Sequence, residues 1–236
     1  MKKFLIIFGL LVCGMAAHAD LVESSSGVTM TNFWEKNGKE QEKVTEVSSK
    51  IINANCLDKR IPAWVGYNKK IANAFSSPYS KTVTIYTGIL PFIDNDDELS
   101  YLIGHETAHS LDAYDGLGKW TAMRFNSRQY EYKADLIGVD LMVKAGYNPI
   151  AAITFQNKFF PEPPLDFGFL TTHPKGSNRM FAIYKYIYKK YPWALTSDMA
   201  KNVNFINFTY SAEKEINLFK QNEKERANKR EAKESL

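Results

Sequence analysis

The chain has 236 residues, 44% hydrophobic and 14% aromatic, enough to bury one substantial core. Its formal charge is +4 and its sequence pI 8.8, but Lys2 and Lys3 supply half of that excess, so no basic surface of the kind that binds nucleic acid is expected. With only Cys13 and Cys56, a disulfide-framed fold is excluded.

The N-terminus reads Met1-Lys2-Lys3, an apolar run from Phe4 to Val12, then Ala17-His18-Ala19 before Asp20. That is the order of a secretory signal, with cleavage expected after Ala19 and a periplasmic or secreted product. The run falls short of the roughly 20 residues that span a bilayer, and no later stretch approaches that length, so no stable transmembrane anchor is expected after processing. Val12 stands where lipid attachment at Cys13 would need a small residue. Cys56 then remains alone and is expected to be a buried, inert thiol. The domain reading is a signal peptide over 1–19, one catalytic domain over 20–212 and a charged tail over 213–236.

Residues 31–54 are polar with Phe33, Val44, Val47, Ile51 and Ile52 at helical spacing, predicting one or two amphipathic helices. Three β-rich runs follow, Ala63 to Tyr67, Ile71 to Phe75 and Thr82 to Thr87, and a small antiparallel sheet is expected from them. Asn95 with Glu98 three positions on forms a candidate capping box for a helix reaching about Leu111. A second helix is predicted from about Arg128 to Ala145, ended by Gly146, and Asn148-Pro149 opens a third. Pro161, Pro163 and Pro164 break that helix. A loop bearing His173-Pro174 leads to a fourth helix from about Asn178 to Lys190. From Glu213 onward, alternating Glu and Lys/Arg predict a solvated helix or frayed tail without chemistry. The fold class expected is α+β, mainly helical, with a small sheet.

Gly104-His105-Glu106-Thr107-Ala108-His109 lies within the first predicted long helix. Histidines four apart share one helical face, so both imidazoles reach one metal, while Glu106 faces a neighbouring sector from which its carboxylate meets water. Two of the three histidines beyond the leader occupy this motif. A catalytic zinc uses three protein ligands plus water, and Glu131 on the next long helix is the candidate third. Asp135, one turn further, can fix the tautomer of a ligating histidine through its other ring nitrogen. Taken alone, Glu131 and Asp135 would read as an ordinary charged helix face meeting Lys133 or Arg128.

The segment from about Ile71 to Tyr184 resembles the HtpX and BepA type of zinc metalloendopeptidases, which are related to CAAX prenyl endopeptidases. The resemblance is carried by Asn73-Ala74-Phe75, Tyr86-Thr87-Gly88-Ile89-Leu90, Asp97-Glu98-Leu99 ahead of Gly104-His105-Glu106, Ser127-Arg128 leading to Glu131-Tyr132-Lys133-Ala134-Asp135, Ala145 to Pro149, and His173-Pro174 followed by Arg179. It implies a gluzincin fold, one zinc held by His105, His109 and Glu131, and cleavage of membrane or envelope proteins. Neither transmembrane helices nor a helical-repeat extension is seen in the sequence. Misfolded or unassembled envelope polypeptides are therefore the expected substrates.

In this reading Glu106 is the general base that takes a proton from a zinc-activated water and returns it to the leaving amine. His173 or Arg179 is the expected donor to the oxyanion, with His173 also a candidate resting ligand. Against these stand a loop-organising His173 and a surface-charged Arg179. The run Val83-Thr84-Ile85 is expected to offer a strand edge to an extended peptide. The rivals are a catalytically quiet chaperone of the same fold and a structural zinc site, the latter disfavoured because no cysteine lies near the motif.

Overall fold

The computed structural model describes residues 40–57, 61–77, 80–113, 127–159 and 176–234. The leader, Cys13, the proline-rich segment and His173 lie outside them. Helix α1 (Glu40–Asn55) buries Val44, Val47, Ser48, Ile51 and Ile52, the one-sided stripe read from the sequence. Strands β1 (Ala63–Gly66), β2 (Ala74–Ser77) and β3 (Thr82–Tyr86) follow. A 3-10 segment, Thr87–Phe92, then leads toward α2 (Asp96–Ala113). Helices α3 (Ser127–Lys144), α4 (Ile150–Phe159), α5 (Gly176–Lys190), α6 (Val203–Ser211) and α7 (Glu213–Glu234) complete the chain, with 3-10 turns at Pro192–Thr196 and Asp198–Lys201.

The sheet has the order β1-β3-β2, with β1 parallel to β3 and β2 antiparallel to it. It is mixed rather than wholly antiparallel, because the chain crosses from β1 to β2 before returning through the middle. Val83 and Ile85 of β3 point into the core, and Thr82, Thr84 and Tyr86 alternate outward. The outward side of β1 is closed by one side chain: Gln41 of α1 donates from Nε2 to the Ala63 carbonyl at 3.1 Å and accepts at Oε1 from the Val65 N–H at 2.8 Å. β2 forms the opposite edge.

Local signals explain the helix ends. Asn95 Oδ1 accepts from the Glu98 N–H at 2.9 Å, and Glu98 Oε2 accepts from the Asp94 N–H at 2.8 Å, a capping box displaced by one residue. Helix α3 ends at Gly146, whose φ of +83° suits glycine, with Gly146 N–H bonded to Val143 O and Tyr147 N–H to Met142 O. Asn148 Oδ1 accepts from the Ile150 N–H at 3.0 Å and opens α4. Every residue of α4 from Ile150 to Gln156 is buried, so this helix runs through the core. The charged C-terminal segment is helical, with Ile216 its one buried residue among those described. Cys56 is exposed at the end of α1 with a φ of +53°, which corrects the expected buried thiol. No described helix is long and apolar enough to cross a membrane.

Candidate metal centre and active site

Helices α2 and α3 cross at two glycines. A Cβ on Gly104 would lie 2.9 Å from the Gly138 carbonyl oxygen, and a Cβ on Gly138 would lie 2.8 Å from the His105 nitrogen. Any larger residue at either position would drive the backbones apart. Gly138 falls three and seven residues after Asp135 and Glu131, so this contact presses the carboxylate face of α3 against the histidine face of α2.

His105, His109 and Glu131 consequently converge, with one donor atom from each lying within 4.8 Å of the others. The two Nε2 atoms are 3.2 Å apart. Glu131 places Oε1 at 3.4 Å from His109 Nε2 and Oε2 at 3.6 Å from His105 Nε2. Two donors bound at ~2.0 to 2.1 Å to one tetrahedral ion stand roughly 3.3 Å apart, so the imidazole spacing fits zinc. The donor set of two imidazoles and one carboxylate also leaves a fourth position open, as hydrolytic zinc sites do. Among the described residues this is the one His-His-Glu cluster.

Beneath the donors lies a buried polar network centred on Asp135. Its Oδ1 is 3.0 Å from His105 Nδ1, the nitrogen facing away from Glu131. Arg179 of α5 donates from Nε to Asp135 Oδ2 at 2.8 Å and from Nη2 to Oδ1 at 2.6 Å, and its Nη1 lies 3.0 Å from Glu131 Oε2. The Tyr101 hydroxyl donates to Asp135 Oδ1 at 2.7 Å, and Gln156 of α4 donates to the Tyr101 oxygen and, at 3.3 Å, to Asp135 Oδ1. All four residues are at least 95% buried.

Burial alone would raise both carboxyl pKa values. For Asp135 that effect is outweighed by Arg179 and His105, which hold it well below the ordinary range. Glu131 is likewise opposed by burial but drawn down to about 2 by His109, His105 and Arg179. Burial pushes His109 down, yet its hydrogen bond to Glu131 and the charges of Glu106 and Glu131 leave it raised. Both carboxylates are thus anions at neutral pH, and Arg179 remains a cation.

Glu106 sits beside the histidine pair, nearly buried, and among the described residues it shows no hydrogen bond or ion pair, while its charge acts on His109. Two sequence expectations need correction. Arg179 is not a surface charge: it is buried, with its three nitrogens against Asp135 and Glu131. Val83, Thr84 and Ile85 belong to the central strand, hydrogen-bonded on both sides, and offer no edge. Tyr101, Gln156 and the Gly104–Gly138 crossing were missed. Tyr101, four residues before His105, was within reach of the same helical spacing.

A mainly helical domain with a small sheet, carrying His-Glu-x-x-His on one helix and a third ligand on the next, defines the zincin class of hydrolases. The model of peptidase family M48 matches residues 37–114 and 117–187, more than half of the chain. The chain belongs to peptidase family M48. Among its relatives are three proteins named mitochondrial metalloendopeptidase OMA1. The Arabidopsis thaliana protein is 32% identical over 48% of this chain and 29% of its own length. The Saccharomyces cerevisiae protein is 28% identical over 59% and 50%, and the Schizosaccharomyces pombe protein 27% identical over 49% and 43%. The chain thus spans half or less of the relatives it matches. The match establishes the broad family and does not single out the HtpX and BepA type within it.

Proposed function

We propose that this protein is an exported zinc endopeptidase that cleaves misfolded or unassembled polypeptides of the cell envelope. The observation that carries the hydrolytic reading is the nearly buried Glu106 carboxylate, without a hydrogen bond among the described residues, beside three converging ligands. Zinc held by His105, His109 and Glu131 would supply a Lewis acid that polarises a peptide carbonyl and brings the pKa of water toward ~7. Glu106 takes the proton of the attacking water and hands it to the departing amine. Asp135, an anion 3.0 Å from His105 Nδ1, favours the proton on that nitrogen and so the Nε2 lone pair toward the ligand cluster. With Arg179 engaged below, His173 is left as the proposed oxyanion donor.

Export rests on the leader over residues 1–19, and N-terminal sequencing of protein recovered from the envelope fraction tests it, with Asp20 as the expected first residue. The substrate class rests on the resemblance to the HtpX and BepA type. For peptide entry, the antiparallel ladder turns the N–H and C=O of Ser76 away from β3, to the side where an extended chain can pair.

Glu106→Gln tests the hydrolytic reading. The variant is expected to keep zinc and fold while losing casein cleavage by about 10²-fold or more, the usual span of general-base catalysis. Undiminished turnover would remove Glu106 from the mechanism. Wild-type protein that holds zinc and binds unfolded casein without cutting it would establish the chaperone instead.

A further inference from the structure

We propose that Tyr101, Gln156 and Arg179 are positioning residues that act on the metal centre through Asp135, so that α4 and α5, which carry no ligand, set how tightly the site holds zinc. The proposal rests on the metal-centre reading above. Four helices meet at this one carboxylate: α2 through Tyr101 and His105, α3 through Asp135 itself, α4 through Gln156, and α5 through Arg179. Among the described residues the ligands come from α2 and α3.

The crowding on Asp135 is uneven, and that unevenness locates the control. Oδ1 faces the Tyr101 hydroxyl, Arg179 Nη2, the Gln156 amide and His105 Nδ1, while Oδ2 receives Arg179 Nε. An oxygen offers only two or three good acceptor directions, so the donors from Tyr101, Arg179 and Gln156 fill those of Oδ1 and fix where it stands beside His105 Nδ1. His105 Nδ1 rests 3.0 Å from that oxygen without the alignment of a hydrogen bond, so the position of Oδ1 bounds where the ring can sit. Arg179 adds a second constraint, since its planar fork grips Asp135 through Nε and Nη2 while Nη1 holds Glu131 Oε2, tying support and ligand carboxylates into one rigid unit. A lysine has a single nitrogen and cannot span both.

Helix α5 therefore belongs to the metal centre although none of its described residues ligates. Arg179 is on its first turn, so a displacement of the α5 N-terminus reaches both Glu131 and His105 at once. Gln156 does the same for α4 more weakly, through one donor shared between Tyr101 and Asp135.

The test measures zinc affinity of the full chain by competition with a chromophoric chelator, with thermal unfolding followed alongside. Tyr101→Phe removes one hydroxyl and keeps the ring. Tyr191→Phe is the matched control, because the Tyr191 hydroxyl donates to Asp140 at 2.7 Å in a network with Tyr186 and Lys190 that contains no ligand. Tyr101→Phe is expected to weaken zinc binding roughly tenfold and Arg179→Lys by up to about 100-fold, the range for lost supporting partners of a metal ligand, with Tyr191→Phe unchanged. In an Asp135→Asn background, Tyr101→Phe should add less than about twofold, since its route to the metal is already cut. Affinity within twofold of wild type for Tyr101→Phe, or equal losses with and without Asp135, overturns the proposal. If Asp135→Asn does not fold, the contrast between Tyr101→Phe and Tyr191→Phe decides alone. Wild-type protein that fails to bind zinc refutes the metal centre itself, a result distinct from intact binding that ignores Tyr101.

Discussion

Replacing Gly138 with alanine should open the metal centre without touching a ligand. The new Cβ would meet the His105 nitrogen at 2.8 Å, the His105 Cα at 3.1 Å and the Gly104 carbonyl carbon at 3.2 Å, all backbone atoms that cannot swing aside. Restoring an ordinary contact of about 3.6 Å requires α2 and α3 to part by roughly 0.8 Å. The imidazole to carboxylate separations, now 3.4 and 3.6 Å, would widen to about 4.2 to 4.4 Å, beyond the ~4.1 Å that two zinc bonds span even in line. Overpacking of this kind costs about 1 to 3 kcal/mol, and the better helix propensity of alanine returns up to ~1 kcal/mol. Chelator competition and thermal melting should therefore show zinc affinity falling more than tenfold with a modest loss of stability. Gly146→Ala is the comparison: no atom lies within 4 Å of its Cβ, but φ is +83°, so stability falls by about 1 to 2 kcal/mol with zinc affinity intact. Wild-type zinc affinity in Gly138→Ala would refute the view that this crossing sets the ligand spacing.

Glu131→Ala should purify with little zinc by metal analysis, and full occupancy would move the third ligand elsewhere. Glu131 and Asp135 have folded pKa values below their unfolded ones, so the stability they contribute to the metal-free protein is complete above about pH 4.5 and is lost as pH falls through the folded values, about 2 for Glu131. The gap in urea midpoint between metal-free wild type and Asp135→Asn should accordingly be widest near pH 6 and close toward pH 2; a constant gap would contradict the assignment. Ser76→Pro removes an outward backbone donor from β2 and should raise KM for casein with kcat little changed, whereas unaltered kinetics in a folded variant would exclude that edge as the peptide track.

Much of this molecule was legible from spacing. The punctuation of Asn95, Gly146 and Asn148 located the helices to within a residue or two, and His105 and His109 four apart share one helical face, whereas Glu131 and Asp135 four apart read by spacing alone as a charged face and are singled out by the resemblance. These are local signals, carried by side chains that act within one or two turns of their own backbone. The strand order was not legible, because three short runs of alternating residues do not say which lies in the middle. The role of Arg179 was hidden for a related reason. Nothing near it in sequence reports that 44 residues earlier a buried aspartate is waiting, and only the packing of α5 against α3 turns an apparent surface cation into an internal one. Gln156 reads in sequence as one more residue of an apolar helix, and its burial follows from α4 running through the core from Ile150 to Gln156.

Gln41 has a consequence for how the molecule behaves in a crowded solution. A sheet with two bare edges can grow from either side and so propagate chain upon chain, whereas a sheet with one bare edge can at most pair once, edge to edge, and stop. By lending its amide to the Ala63 carbonyl and the Val65 N–H, Gln41 acts as a false strand of a single residue and terminates the β1 side. Removing that amide would leave the Ala63 carbonyl and the Val65 N–H without this partner and reopen the β1 side to pairing.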